Sequence, residues 1–165
     1  MIKTVFKWIG IFFLVFVMQT TLVPAISIYS IKPDLILLSL FMLAVKNGVM
    51  PGLYVGFFLG LAQDIYSPVI LGQNALAKTL AGFFAGLFNE KVMRLDPVVQ
   101  AVLLVLTVLL GDLVFLLVQL VKSGGTVQML SLEMVASSLP RAIYSLLFGL
   151  VPIFWEHLFQ TKTKR

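Results

Sequence analysis

The chain of 165 residues has no cysteine and a single histidine. Without thiols there is no disulfide and no thiolate nucleophile, and cysteine usage says nothing of redox compartment. One imidazole and no cysteine also leave no zinc-ligand cluster to assemble. Charge is scarce: Asp, Glu, Lys and Arg make up 12% of the residues, about half of what soluble domains carry. No charge run, linker or low-complexity stretch marks off a second domain. The lone histidine, His157, stands beside Glu156 near a basic tail and reads as an interfacial residue rather than a general base. No Ser-Lys or Asp pair has catalytic spacing, so the sequence predicts no enzyme and no cofactor.

What fills the space is apolar, at 60% of the chain. A hydrocarbon core of about 30 Å needs roughly 20 mainly apolar residues to cross, and Trp8 to Ile31 carries no charge. This is the composition of a membrane protein, and the expected fold class is an all-α polytopic bundle in a single transmembrane domain. Breakers and charges divide it into six apolar blocks, predicted as helices over about 5–25, 34–46, 48–64, 74–91, 97–122 and 141–160. Pro33, Pro51 and Pro97 each suit a first helical turn, and Asp34 favours a helix start. Ser123-Gly124-Gly125 reads as a turn, and about 127–139 as an interfacial helix stopped by Pro140.

Lys and Arg accumulate on the cytoplasmic side of a membrane protein. Six crossings with both termini cytoplasmic put Lys3, Lys7, Lys46, Lys91, Arg94, Lys162, Lys164 and Arg165 inside, and Lys32, Lys122 and Arg141 outside. Topology therefore accounts for the formal charge of +5, and nucleic-acid binding is not expected. The N-terminus also has features of a signal peptide, but its uncharged run is long for one. Trp8 and Trp155 fit the interfacial belt.

Glycines at 48, 52, 56 and 60, with Asp64 next in the series, lie four residues apart. Each step of four drifts about 40° around a helix, so Gly52, Gly56, Gly60 and Asp64 draw one winding stripe. Asn74, Lys78, Gly82, Gly86 and Glu90 repeat the spacing on the next helix, with Ala77, Ala81 and Ala85 alongside. Small residues let helix backbones approach closely in lipid. The stripes are therefore either packing seams between helices or the docking surface for a partner.

Three ionisable residues fall within or at the ends of apolar blocks: Asp64, Lys78 and Asp112. An unpaired charge at the bilayer centre costs about 2.5–3.5 kcal/mol on insertion scales. Lys78 is therefore expected either to pair with Asp112 or Asp64, or to snorkel to the surface. The apolar joint from Asp64 to Lys78, with Pro68, Gly72 and Asn74, is expected to dip into the bilayer rim.

The ordered motifs QTTLVP, KPDLILL, GLYVGFFLGLAQD and SPVILGQNALAKTLAGFFAGLF resemble the MreD family of bacterial rod shape-determining membrane proteins. The family pattern falls on Pro33, Asp34, Leu35, Gly56, Gly60, Asp64, Leu71, Gly72, Asn74, Ala75 and Leu76. The resemblance implies an inner-membrane scaffold of the peptidoglycan elongation complex that binds MreC and works with MreB filaments, RodA and a class B penicillin-binding transpeptidase. It also implies a six-helix fold similar to the S components of energy-coupling-factor vitamin transporters. A small-molecule carrier of that type is the alternative function, although the first helix has no alanine before Ala25 to supply the AxxxA docking pattern common in such carriers. The fifth and sixth helices match the family less distinctly, leaving Asp112 and Arg141 without an assigned role.

Overall fold

The structure, a computed structural model, describes residues 2–23, 25, 27, 31–66, 71–89, 96–123 and 127–162. The regular elements among them are helices: α1 (Ile2–Thr21), α2 (Leu35–Asn47), α3 (Val49–Tyr66), α4 (Gln73–Leu87), α5 (Pro97–Ser123), α6 (Val127–Glu133) and α7 (Leu139–Lys162).

The centre of the bundle is α2. Its sequence LILLSLFMLAVKN is apolar nearly all round, the pattern of a helix enclosed by others, and nine of its residues, Ile36 to Phe41 and Leu43 to Val45, are buried. It packs against α1, α3, α4, α5 and α7. Leu37, Leu40, Phe41 and Ala44 form the core with Ala81 and Ala85 of α4, Leu103, Leu104 and Val108 of α5, and Ala142 and Ile153 of α7. At about 1.5 Å per residue, 13 residues make a helix of about 20 Å, shorter than a hydrocarbon core of about 30 Å.

Two helices are long and apolar enough to cross a membrane by that measure, Pro97–Lys122 and Ser131–Trp155, while Lys7–Thr21 and Leu35–Asn47 are apolar but shorter. The outer surface is greasy. Phe13, Tyr54, Phe58, Val98, Val102, Leu147, Val151 and Trp155 are each more than half exposed, far beyond the apolar patches of a soluble monomer and suited to lipid.

The glycine stripes meet each other. A Cβ added to Gly52 would strike the Gly82 carbonyl oxygen, one on Gly56 the Lys78 carbonyl oxygen, and one on Gly60 the Asn74 carbonyl oxygen. On the facing helix, a Cβ at Gly82 would strike the Gly52 carbonyl oxygen and one at Gly86 would lie 2.6 Å from Val49 Cα. The two antiparallel helices thus run backbone to backbone along their length, in the close approach that only glycine permits. Of the two alternatives for the stripes, the inner faces of these five glycines are occupied within the chain. Glu90, the last member of the second series, lies outside the described residues.

Several boundaries differ from expectation. The first helix begins at Ile2 and ends at Thr21 rather than near 25, and α4 ends at Leu87, where Phe88 caps it, rather than at 91. The joint from Asp64 to Lys78 is shorter than expected, because α3 continues to Tyr66 and α4 opens at Gln73. Residues 67–70, including Pro68, lie outside the described residues. Pro140 does not stop a helix. Residues Met134–Ser138 form a π-helical turn in which the Leu139 amide reaches back to the Met134 carbonyl, and helix continues into α7. Proline lacks an amide hydrogen and its ring crowds the preceding turn; the wider turn beside it accommodates both effects.

Candidate functional site

Polar side chains that an apolar chain carries at a cost converge at one end of α2 and α4. Asp34 caps α2, its Oδ1 accepting the Leu37 amide at 2.8 Å. This is the ordinary service of an aspartate at a helix start. Its Oδ2 accepts Lys78 Nζ of α4 at 2.9 Å, and its backbone amide donates to Ser145 Oγ of α7 at 3.1 Å. One residue therefore ties α2 to α4 and α7.

Lys78 is thus paired, but neither with Asp64 nor with Asp112, and it does not snorkel: it is 4% exposed. The other two carboxylates have partners of their own. Asp112 Oδ1 accepts Arg141 Nη1 at 3.0 Å, joining α5 to α7. Asp64, at the end of α3, faces the start of α4. Its Oδ2 accepts the backbone amides of Gly72 at 2.9 Å and Ala75 at 3.0 Å, and its Oδ1 accepts the Asn74 amide and Asn74 Nδ2, both at 2.9 Å. Gly72 precedes the helix with φ of 97° and no capping side chain of its own, a left-handed conformation that favours glycine. The first amides of a helix have no partner within it. Here a carboxylate on the preceding helix supplies the acceptor, and its charge suits the positive helix end.

Two glutamines complete the framework. Gln19 of α1 donates through Nε2 to the Pro33 carbonyl at 3.1 Å and accepts the Leu35 amide through Oε1 at 2.9 Å. Gln73, fully enclosed, donates to the Phe115 carbonyl of α5 at 2.8 Å. Neither glutamine nor Arg141 carried a role in the sequence reading. An amide within an apolar block, such as Gln19 in QTT, was the available sign, because its polar atoms need partners when water is excluded.

Between these groups lies a cavity of about 220 Å3, bounded by Gln19, Asp34, Gln63, Asn74, Lys78, Asp112 and Arg141, with Lys32, Leu37, Ala77, Gly111 and Phe115 completing the lining. Pro33, Asn74 and Ala75 are buried, whereas Leu71 and Leu76 of the same motifs face outward, at 70% and 47% exposure. Among the described residues no three His, Asp or Glu side chains stand close enough to hold a metal ion.

A protein-family model described as "MreD: rod shape-determining protein MreD" matches residues 1–162. Comparison with curated proteins and with solved structures yields no match.

Proposed function

This chain belongs to the MreD family of rod shape-determining membrane proteins, and on that premise we propose that it is a non-enzymatic scaffold of the cell-wall elongation complex. In this reading it crosses the inner membrane six times with both termini cytoplasmic, binds the transmembrane anchor of MreC, and couples MreB filaments to RodA and a class B penicillin-binding transpeptidase. The observation that carries it is the α3–α4 unit. Its glycine seam fixes two helices against each other, and Asp64 fixes their joint, so the outward residues form one rigid surface. Phe57, Leu76 and Phe83 lie on the side of that unit turned from the core, exposed, and a partner helix in lipid is held by packing against such a face.

The test is cysteine crosslinking, for which this cysteine-free chain is suited. Cysteines at Phe57, Leu76 and Phe83 are expected to crosslink to cysteines in the MreC anchor helix, while those at exposed Val102 and Val151 are not. Absence of crosslinks from all three α3–α4 positions, with crosslinks elsewhere, moves the docking face. Absence from every position removes MreC as a direct partner. Reporter fusions after Asn89 and after Ser123 check the orientation, the first expected inside and the second outside.

The carrier alternative rests on the cavity alone. At about 220 Å3 it falls below the roughly 300–1,000 Å3 of sites for drug-sized ligands, too small for a vitamin, so the scaffold is the better-supported reading.

A further inference from the structure

We infer that the cavity between α2, α3, α4, α5 and α7 is a binding site for a small zwitterion, a protonated amine joined to an anionic group as in phosphoethanolamine. The inference is independent of any protein partner. Its first support is an imbalance of hydrogen bonds. Asp112 Oδ2 and Gln63 Oε1 are buried without a partner, and both residues line the cavity. Asp112 is 9% exposed, and a buried carboxylate oxygen left without a donor is costly, more so than a neutral acceptor. Asp34, by contrast, has both oxygens engaged. Both acceptors belong to residues of one lining, and a donor at the occupant's inner end would supply what they lack.

The charges define the other end. Lys32, Lys78 and Arg141 face Asp34 and Asp112 around the cavity, so the lining carries one more cation than it has carboxylates. A simple cation would meet that excess unfavourably, and a neutral polyol would leave it uncompensated. Arg141 gives Nη1 to Asp112, and its guanidinium has five N–H groups to share. It is partly exposed, with Lys32 exposed beside it, which places the anionic group at the mouth and the amine inside. The volume exceeds the roughly 10–15 Å3 that one water requires, and it is small for anything larger than a headgroup or an amino acid.

Such a zwitterion reaches a membrane protein either free in solution or as the headgroup of phosphatidylethanolamine. The experiment uses the full chain purified in detergent, titrated with phosphoethanolamine, with ethanolamine alone and with phosphate alone, following the thermal unfolding midpoint. In parallel, the protein in nanodiscs of phosphatidylethanolamine or phosphatidylglycerol is followed by native mass spectrometry for retained lipid. Phosphoethanolamine is expected to raise the midpoint saturably where its two halves do not. Gln63→Leu and Asp112→Asn should each weaken binding about tenfold, the loss of one good hydrogen bond. A response to phosphatidylethanolamine without one to free phosphoethanolamine also supports the site and identifies the lipid as its source. No response to either form overturns the inference, as does an equal response to phosphate alone, equal retention of phosphatidylglycerol, or binding unchanged by Gln63→Leu. Asp112→Asn disturbs the Arg141 pair, so Gln63→Leu, which breaks no ion pair, decides the matter if the former does not fold.

Discussion

Asn74 gives Asp64 two hydrogen bonds on the same carboxylate oxygen, one from its backbone amide and one from its side-chain Nδ2, each at 2.9 Å. With the Gly72 and Ala75 amides on the other oxygen, this carboxylate takes over the work of an N-cap from a distance of eight to eleven residues. Asp64→Ala strands the buried amides of Asn74 and Ala75 and the half-buried amide of Gly72, a buried donor being worth about 1–3 kcal/mol when unsatisfied, and should abolish accumulation of folded protein. Asp64→Asn keeps an acceptor but turns donors toward donors, and should fall between. Asn74→Ala removes one bond of the four and is expected to cost about 1–2 kcal/mol. Unfolding midpoints in detergent should order the three as Asn74→Ala, Asp64→Asn, Asp64→Ala from most to least stable.

The Lys78–Asp34 pair makes a double-mutant prediction. Lys78→Met leaves the Asp34 carboxylate uncompensated among buried groups, at a cost of about 3–5 kcal/mol. Adding Asp34→Asn should restore most of that loss, because asparagine still caps α2 at the Leu37 amide while removing the stranded charge. Adding Asp112→Asn instead should restore nothing and deepen the loss by freeing Arg141. Equal rescue by both second substitutions would mean that Lys78 answers to the field of the whole cavity rather than to Asp34.

How much of this was legible beforehand follows from which interactions are local. The helical class, the order of the apolar blocks and the seam-forming spacing of Gly52, Gly56 and Gly60 are periodic features of contiguous sequence. That Lys78 needs a partner was also legible, since the cost of an unpaired charge depends on the solvent alone. Which carboxylate it meets was not, because Asp34 is 44 residues away and the choice depends on where α2 sits. The expected partners are engaged elsewhere: Asp64 through both oxygens by amides of the helix that follows it, and Asp112 through Oδ1 by Arg141 beyond the next joint. Pro140 misled because a proline signals a helix end from local sterics, whereas a π-turn ending two residues earlier lets the helix pass. A cavity was implied only by the resemblance to S components, and its lining was not legible, being drawn from α1, α2, α3, α4, α5 and α7 and the joint before α2.

The glycine seam predicts a graded series. Gly56→Ala and Gly60→Ala place a methyl against facing backbone atoms that cannot move aside, the latter 2.5 Å from Ala75 Cα. Each should cost at least the roughly 1–3 kcal/mol of overpacking and drive α3 from α4. Gly111→Ala meets side-chain atoms at 3.7 Å, an ordinary contact, and should be near neutral. Gly10→Ala meets nothing within 4 Å and should stabilise α1 slightly, because alanine is the better helix former by about 1 kcal/mol. Unfolding midpoints of the four variants check the order, and a neutral Gly56→Ala would contradict backbone contact along the seam.

Gln19 predicts a local rather than a global change. Among the described elements α1 packs chiefly on α2, with the Phe16 ring edge-on to Tyr66 at 6.1 Å, so the two bonds from Gln19 to the Pro33 carbonyl and the Leu35 amide are a large share of its specific attachment. Gln19→Leu should raise hydrogen exchange at the Leu35 amide and through α1, while amides of α3 and α4, held by the seam and by Asp64, keep their protection. Gln19→Glu retains an acceptor for Leu35 and loses the donor to Pro33, and should give an intermediate effect at Leu35. Exchange that rises uniformly across all helices in Gln19→Leu would show instead that α1 is part of one cooperative unit with the core, because segments that open separately exchange separately.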